Sequence, residues 1–192
     1  MSGHGFHVHG PHDHELEHAA QHGDKDSFSG QIAVMTAILA TIGALFSYMG
    51  GATQANAGLY KNNAAIKKTE ASNQWNYYQA KSSKQNLSEL AIVLAPEDKR
   101  AGFKDEVERY KKEKAEIKVA AEKLEAESTD WDQRSDAQLH LHHRWAQATT
   151  ALQISIALAA MALLTRKRWL EWGMFGVAGL GLVLGGAAAL HW

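Results

Sequence analysis

Residues 14–18 read His-Glu-Leu-Glu-His, the spacing that forms a zinc protease site when it lies on a helix. In such a site, two histidines one turn apart bind Zn²⁺ and the glutamate activates a water molecule. A longer version of the pattern would place glycine at 21 and histidine at 24, where this chain has Gln21 and Asp24. A short polar segment also cannot supply a third ligand together with a packed substrate cleft. We therefore expect no protease here, and no catalytic residues elsewhere.

The same segment offers many imidazoles at short spacing. These are His4, His7, His9, His12, His14, His18 and His22. Imidazole suits Zn²⁺, Cu²⁺ and Ni²⁺, and a flexible segment would select poorly among them. Residues 1–28 bury little apolar surface and are expected to form a His-rich polar tail. The tail is interpreted either as a metal-capturing segment or as a polar, pH-sensitive extension.

A second group that could bind a metal is predicted at Asp136, His140 and His143. On a helix these residues fall at i, i+4 and i+7, roughly on one face. The alternative is an interfacial helix whose histidines lie among lipid headgroups. The chain has no cysteine, which excludes thiolate ligands and disulfides, and its formal net charge of −1 gives no argument for nucleic acid.

Charge is segregated along the chain. Residues 27–60 and 145–165 contain no Asp, Glu, Lys or Arg, and none follows Glu171. A helix needs about 20 apolar residues to cross the core of a bilayer. The sequence therefore predicts an all-α membrane protein with transmembrane helices at 29–52, 148–165 and 169–190, and the lipid bilayer as a partner. Between spans one and two, residues 53–128 are expected to form an antiparallel helical (coiled-coil) hairpin.

The hairpin prediction rests on hydrophobic periodicity around a turn at Pro96. The second arm has residues that alternate by four and three, as in a heptad seam: Phe103, Val107, Tyr110, Lys114, Ile117, Ala121, Leu124, Ser128 and Trp131. The first arm has a weaker apolar stripe: Ile66, Tyr77, Ala80, Leu87, Ala91 and Leu94. We expect these two sides to face each other.

The second arm is predicted to end near Ser128-Thr129-Asp130, because all three side chains can cap a helix. A new interfacial helix would then cover residues 129–147 and continue into span two. The alternative is a single unbroken helix of about 65 residues, which at 1.5 Å per residue would be roughly 100 Å long.

Two groups of residues predict contacts between copies. Gly181 and Gly185 form a GxxxG pair, which lets membrane helices approach closely, although glycine is also common in membrane helices and the alternative is merely a thin helix. Trp75, Tyr77 and Tyr78 cover more than half of a helix circumference, which indicates contacts with both the hairpin partner and a neighbouring subunit; the alternative is ordinary core packing. A homo-oligomer is therefore expected, with other membrane proteins as further candidate partners.

The three cations at residues 166–168 predict the orientation. By the positive-inside rule this turn lies in the cytoplasm, which places the N-terminus inside and the hairpin outside, in the periplasm. The opposite orientation is favoured by cations on the hairpin side of the spans, among them Lys61 and Arg144.

Residues 72–82, SNQWNYYQAKS, together with one leading span, a charged helical middle and two closing spans, resemble a bacterial membrane family. It is domain-of-unknown-function family 4337, and the resemblance covers about residues 28–190. It implies this architecture and a bacterial inner-membrane location, but no reaction. We expect a non-enzymatic protein that self-associates as a structural or scaffolding assembly. The alternative is a metal-handling membrane protein or oligomeric channel that uses the His-rich tail.

Overall fold

The computed structural model describes residues 27–190, and nearly all of these residues are helical. Helix α1 is Ser27–Leu94, a short 3-10 helix covers Glu97–Lys99, α2 is Arg100–Thr165 and α3 is Arg168–Ala189. No strand occurs within the described range. Each of the three α-helices contains a stretch long and apolar enough to cross a membrane, by length and composition. The predicted all-helical class is confirmed, and so is the presence of three helices that are long and apolar enough to span a membrane.

The helices form two compact units. Within the described range, the bundle unit comprises residues 27–50 and 143–190, and the arm unit comprises residues 51–142. The bundle unit contains the apolar parts of α1 and α2 together with α3. The arm unit contains the polar parts of α1 and α2.

The core of the bundle unit is built from small residues on α2. Ala159 and Ala162 pack with Ile32 of α1 and with Leu170 and Met174 of α3. About two turns closer to the start of α2, a second cluster joins Leu39, Leu152 and Ala178. The hydroxyl of the fully buried Ser155 donates a hydrogen bond to the Met174 carbonyl oxygen, at 2.8 Å. Small side chains let membrane helices approach closely enough for such a bond to form.

In the arm unit, α1 and α2 lie side by side and run in opposite directions. Residues with higher numbers on α1 contact residues with lower numbers on α2. From the start of the α1 arm to the turn, Lys61 pairs with Asp132, Lys67 with Glu127, Lys81 with Glu113, and Ser88 donates a hydrogen bond to Glu106. The chain reverses at Pro96, where the Arg100 side chain donates a hydrogen bond to the Ala95 carbonyl. The turn therefore lies at the predicted position.

The seam predicted on α2 is the buried side of that helix. Val107, Tyr110, Ile117, Ala121 and Ser128 are buried, and the remaining seam residues are partly buried. The same four-and-three spacing of buried or partly buried residues continues beyond the predicted range. It includes Ser135, Gln138, His142, Trp145 and Leu152. One heptad repeat therefore runs along α2 from its polar half into its apolar half.

The apolar stripe predicted on α1 is wrong. Ile66, Tyr77, Leu87 and Leu94 are 48–75% exposed. Ala80 is also exposed, and only Ala91 is partly buried. The large side chains of this predicted stripe point away from α2.

The side of α1 that faces α2 carries small residues, which we call the inner seam. Ala57, Ala64 and Ala71, spaced by seven residues, are at most 6% exposed. The Ser128 hydroxyl donates a hydrogen bond to the Ala64 carbonyl, and the Ser135 hydroxyl donates one to the Ala57 carbonyl, both at 2.9 Å. A hydroxyl reaches the backbone of the opposite helix only when both facing residues are small. Close approach of the helices thus replaces burial of large side chains.

The predicted break at Ser128-Thr129-Asp130 is also wrong, because these side chains bond elsewhere. Ser128 bonds across to α1, the Thr129 hydroxyl donates to the Glu125 carbonyl one turn back, and Asp130 pairs with Arg134. Residues 129–147 lie inside α2, a continuous helix of 66 residues, so the alternative of one unbroken helix describes the structure. Likewise, the predicted span 29–52 and the first arm belong to one helix of 68 residues.

Replacing Ser128 with leucine tests the close approach. The larger side chain cannot fit 2.9 Å from the opposite backbone, so Ser128→Leu is expected to destabilise the protein by about 1–3 kcal/mol through overpacking. The control is Ala126→Leu, at an exposed position two residues away, which should change stability little. Thermal unfolding of the detergent-solubilised protein, followed by circular dichroism, measures both. Equal effects of the two variants would contradict the packing described.

Candidate functional site

The histidines of the tail cannot be placed by the structure. The His-Glu-Leu-Glu-His motif and the predicted metal ligands His4, His7, His9, His12, His14, His18 and His22 all lie outside the described residues. Metal capture by this segment stays a prediction.

The predicted ligands on α2 do not form a metal site. Among residues 27–190 there is no group of three or more His, Cys, Asp or Glu side chains placed to hold an ion. Asp136, His140 and His143 are all exposed. The first and last of them are separated by seven residues, or roughly 10 Å along the axis of a straight helix. That separation is too long for both side chains to reach one ion.

The predicted aromatic contact residues divide between two environments. Trp75 and Tyr78 are partly buried and meet edge to face, with ring centroids 5.7 Å apart. The Lys114 ammonium lies 5.0 Å from the centre of the Tyr78 ring, a cation–π contact between the arms. Tyr77 is 50% exposed. Tyr78 therefore takes part in the pairing of the two arms and Trp75 packs against it, whereas half of the Tyr77 side chain stays exposed.

A charged pair lies at the centre of this aromatic group. The Lys81 ammonium is 2.5 Å from a buried carboxylate oxygen of Glu113, and it also lies over the rings of Tyr77, at 5.1 Å, and Tyr110, at 5.6 Å. The Lys81 side chain is 15% exposed. Contact with the Lys81 ammonium lowers the pKa of the Glu113 carboxyl, and Glu113 in turn raises the pKa of Lys81. Sequence analysis did not predict this cluster, because Lys81 and Glu113 look like the solvent-exposed charged residues that flank any coiled-coil seam.

Further ion pairs between the arms are more exposed. Lys61 pairs with Asp132 at 2.5 Å, beside Tyr60 and Trp131, whose ring centroids are 5.4 Å apart. The hydrogen bond to Asp132 raises the pKa of Lys61. Exposed pairs of this kind contribute little to stability individually, but they fix which residues face each other.

The glycine pair predicted to join copies packs inside the bundle unit. A Cβ atom added to Gly181 would come within 3.0 Å of Leu152 Cδ2, and one added to Gly185 would collide with the ring of Phe46. Phe46 in turn packs against Trp145, with ring centroids 5.2 Å apart. Both glycines therefore allow close packing of helices within one chain.

The surface of the bundle unit carries two open grooves. One is lined by residues that include Gly30, Val34 and Phe175, and the other by residues that include Gln147, Ile154 and Leu180. Their walls are mainly apolar. This lining suits lipid chains or another apolar helix.

Replacing Gly185 with alanine tests the glycine packing. The added methyl group must displace the Phe46 ring, so Gly185→Ala is expected to cost about 1–3 kcal/mol of stability. Gly186→Ala is the matched control, because nothing lies within 4 Å of its added Cβ. Thermal unfolding in detergent compares the variants. Equal stability of the two would show that Phe46 does not pack on Gly185.

The Lys81–Glu113 pair predicts a dependence on pH. The pKa of Glu113 is lower in the folded protein than in the unfolded chain, so the ionised carboxylate stabilises the folded state at pH values above its ordinary pKa. This stabilisation is lost as the pH falls through the lowered pKa. Glu113→Gln should therefore unfold at a lower temperature than wild type at pH 7, and the difference should close on acidification. Glu116→Gln, at an exposed position, serves as the control. A difference that persists in acid would contradict a role for the carboxylate charge.

Comparison with curated proteins and with solved structures gives no match. Residues 28–191 match the sequence profile of the family described as "Domain of unknown function (DUF4337)". The match includes nearly all of the described residues and confirms the resemblance noted from residues 72–82. The chain therefore belongs to the DUF4337 family.

Proposed function

We propose that this chain is a non-enzymatic, multi-pass protein of the bacterial inner membrane that self-associates into a structural or scaffolding assembly. Its first partner is the lipid bilayer. The polar parts of α1 and α2 form a coiled-coil hairpin. The proposal draws on the apolar segments of all three helices and on the burial pattern of α2.

The observation that carries self-association is the position of Gln153. This residue lies near the middle of the apolar stretch 145–165 of α2, and its side chain is exposed on the bundle unit. By contrast, the hydroxyl groups of Thr149 and Ser155 bond to carbonyls within the chain. A primary amide facing lipid at this depth is stabilised by hydrogen bonds to a neighbouring helix. A second copy of the chain can provide that helix.

The charged side chains of the arms support a structural role. Lys61, Lys67 and Lys81 are each engaged with an acid on α2, and these pairs hold the register of the two helices. Side chains already engaged in this way do not resemble a general acid and base poised at a substrate cleft. The arms are suited to present a stiff surface.

For orientation we propose a cytoplasmic N-terminus and periplasmic arms. The support is the basic turn between α2 and α3, where Arg166, Lys167 and Arg168 follow one another. The alternatives of metal handling and of an oligomeric channel depend on the tail histidines. The described residues add no support for them.

The oligomeric state in native lipid tests the proposal. Wild-type protein extracted into polymer nanodiscs should contain more than one copy, counted by native mass spectrometry. Gln153→Leu removes the amide and is expected to weaken association by about 0.6–2 kcal/mol.

Gln147→Leu is the control for this substitution, because it makes the same chemical change at an exposed position close to Arg144, where water and headgroups can satisfy the amide. A single copy per nanodisc for wild type would overturn self-association. If both variants weakened self-association equally, Gln153 would have no special role in it.

A further inference from the structure

The outer side of α1 in the arm unit has a regular pattern of its own. One exposed residue in every seven forms a row: Leu59, Ile66, Asn73, Ala80, Leu87 and Leu94. We call this row the outer seam. Its four large apolar members are 48–75% exposed. Leu90 and Val93, next to the row, are 54% and 72% exposed.

Charge is absent from most of the outer side of this helix. Between Gly58 and Leu94, the outer seam and the two rows on one side of it are all exposed, and none of their residues is Asp, Glu, Lys or Arg. The row on the other side of the seam contains exposed Glu70 and Lys84. The other charges of this arm, including Lys61, lie on or beside the side that faces α2. A helical side that meets water alone normally carries charged residues.

Helix α2 provides the comparison within the same unit. The equivalent outer positions of α2 carry Glu108, Lys112, Glu116, Glu122, Lys123 and Asp130, all exposed. Both arms belong to the same unit and are similar in length, so exposure to solvent alone does not explain why the outer side of α2 is charged and that of α1 is mostly uncharged. The outer side of α2 is suited to water, and that of α1 is suited to a covered interface.

On this basis we propose that the outer seam of α1 packs against the outer seam of a second copy of this chain, in parallel and in register. The proposal rests on the self-association proposed above and names its surface. The outer seam supplies one apolar position per heptad, where a full coiled coil has two. Exposed Tyr77, Leu90 and Val93 beside it enlarge the apolar surface that a second copy can cover. The seam itself carries no charge, and the nearest exposed charges, Glu70 and Lys84, lie in a single row beside it.

The shared topology of the copies sets the direction of pairing. In α1 the arm residues follow the apolar stretch along the chain, so copies inserted in the membrane with the same topology start their α1 arms at the same membrane surface. An antiparallel pairing of the outer seams would require copies of opposite topology.

Asn73 sets the register. It is the one polar member of the outer seam, with apolar residues on either side at Ile66 and Ala80. When two copies align in register, the two Asn73 amides face each other and each can donate to and accept from the other. A shift by one heptad places the amide against an apolar side chain, which leaves its hydrogen bonds unmade. A single asparagine in an apolar seam specifies register in parallel coiled coils in this way. Tyr77, half exposed and one turn beyond Asn73, extends the surface.

Cross-linking can test this directly, because the full chain contains no cysteine. Ala80→Cys places a single thiol in the outer seam, and Ala115→Cys places one on the charged outer side of α2, at an equally exposed alanine. Membranes containing each full-length variant are treated with a short bismaleimide. Ala80→Cys should give about tenfold more covalent dimer than Ala115→Cys, because facing thiols have a millimolar effective concentration. Similar yields from both would overturn the proposal.

Two further variants test direction. Leu59→Cys and Leu94→Cys are co-expressed with different tags. Each should cross-link to its own kind and not to the other. A product that joins the two would show antiparallel packing and would overturn the parallel register.

Counting copies of wild type in nanodiscs separates this inference from the proposed function. Several copies without an Ala80→Cys product would reject the outer seam and leave self-association standing, with another surface or partner responsible. A single copy would reject both. A circular dichroism spectrum for each variant confirms that it is folded.

Discussion

The arm unit depends on two hydroxyl-to-carbonyl contacts between its helices. Ser128 and Ser135 of α2 each donate a hydrogen bond to a main-chain oxygen of α1, at Ala64 and Ala57. Such a bond forms only when both facing residues are small, so the contacts require alanine and serine on the inner side. The remaining features of the arms follow from this close approach: which side of α1 is buried, which ion pairs can form, and where the large apolar residues must go.

Both long helices keep one heptad repeat of buried positions along their sequence. Along α2, buried or partly buried residues follow this repeat from Phe103 through Trp145 to Ala159. Along α1, Ile32, Leu39 and Thr53 fall on the same repeat as Tyr60 and Lys67. Residues with capping side chains lie inside α2 and make other hydrogen bonds, as the Ser128 and Thr129 hydroxyls do.

Sequence reasoning succeeded where buried residues are large and failed where they are small. The α2 seam was predicted because Val107, Tyr110 and Ile117 are apolar and bulky. On α1 the most buried residues are Ala57, Ala64 and Ala71, and the large residues Ile66, Leu87 and Leu94 are outside, so hydrophobic periodicity selected the wrong side. The signal that was present is the seven-residue spacing of those alanines, matched by Ser128 and Ser135. The central Lys81–Glu113 pair had no sequence signal, because its burial depends on the tyrosines around it.

The alignment of α1 with α2 is tested most directly by zero-length cross-linking of the full-length protein in membranes. Carbodiimide joins an ammonium and a carboxylate only when they are in contact, and peptide mass spectrometry identifies the joined residues. Mixing isotopically labelled and unlabelled copies distinguishes links within a chain from links between chains. The structure predicts links within one chain between Lys61 and Asp132 and between Lys81 and Glu113. Links displaced by a heptad, such as Lys61 to Glu125, would contradict the small-residue register.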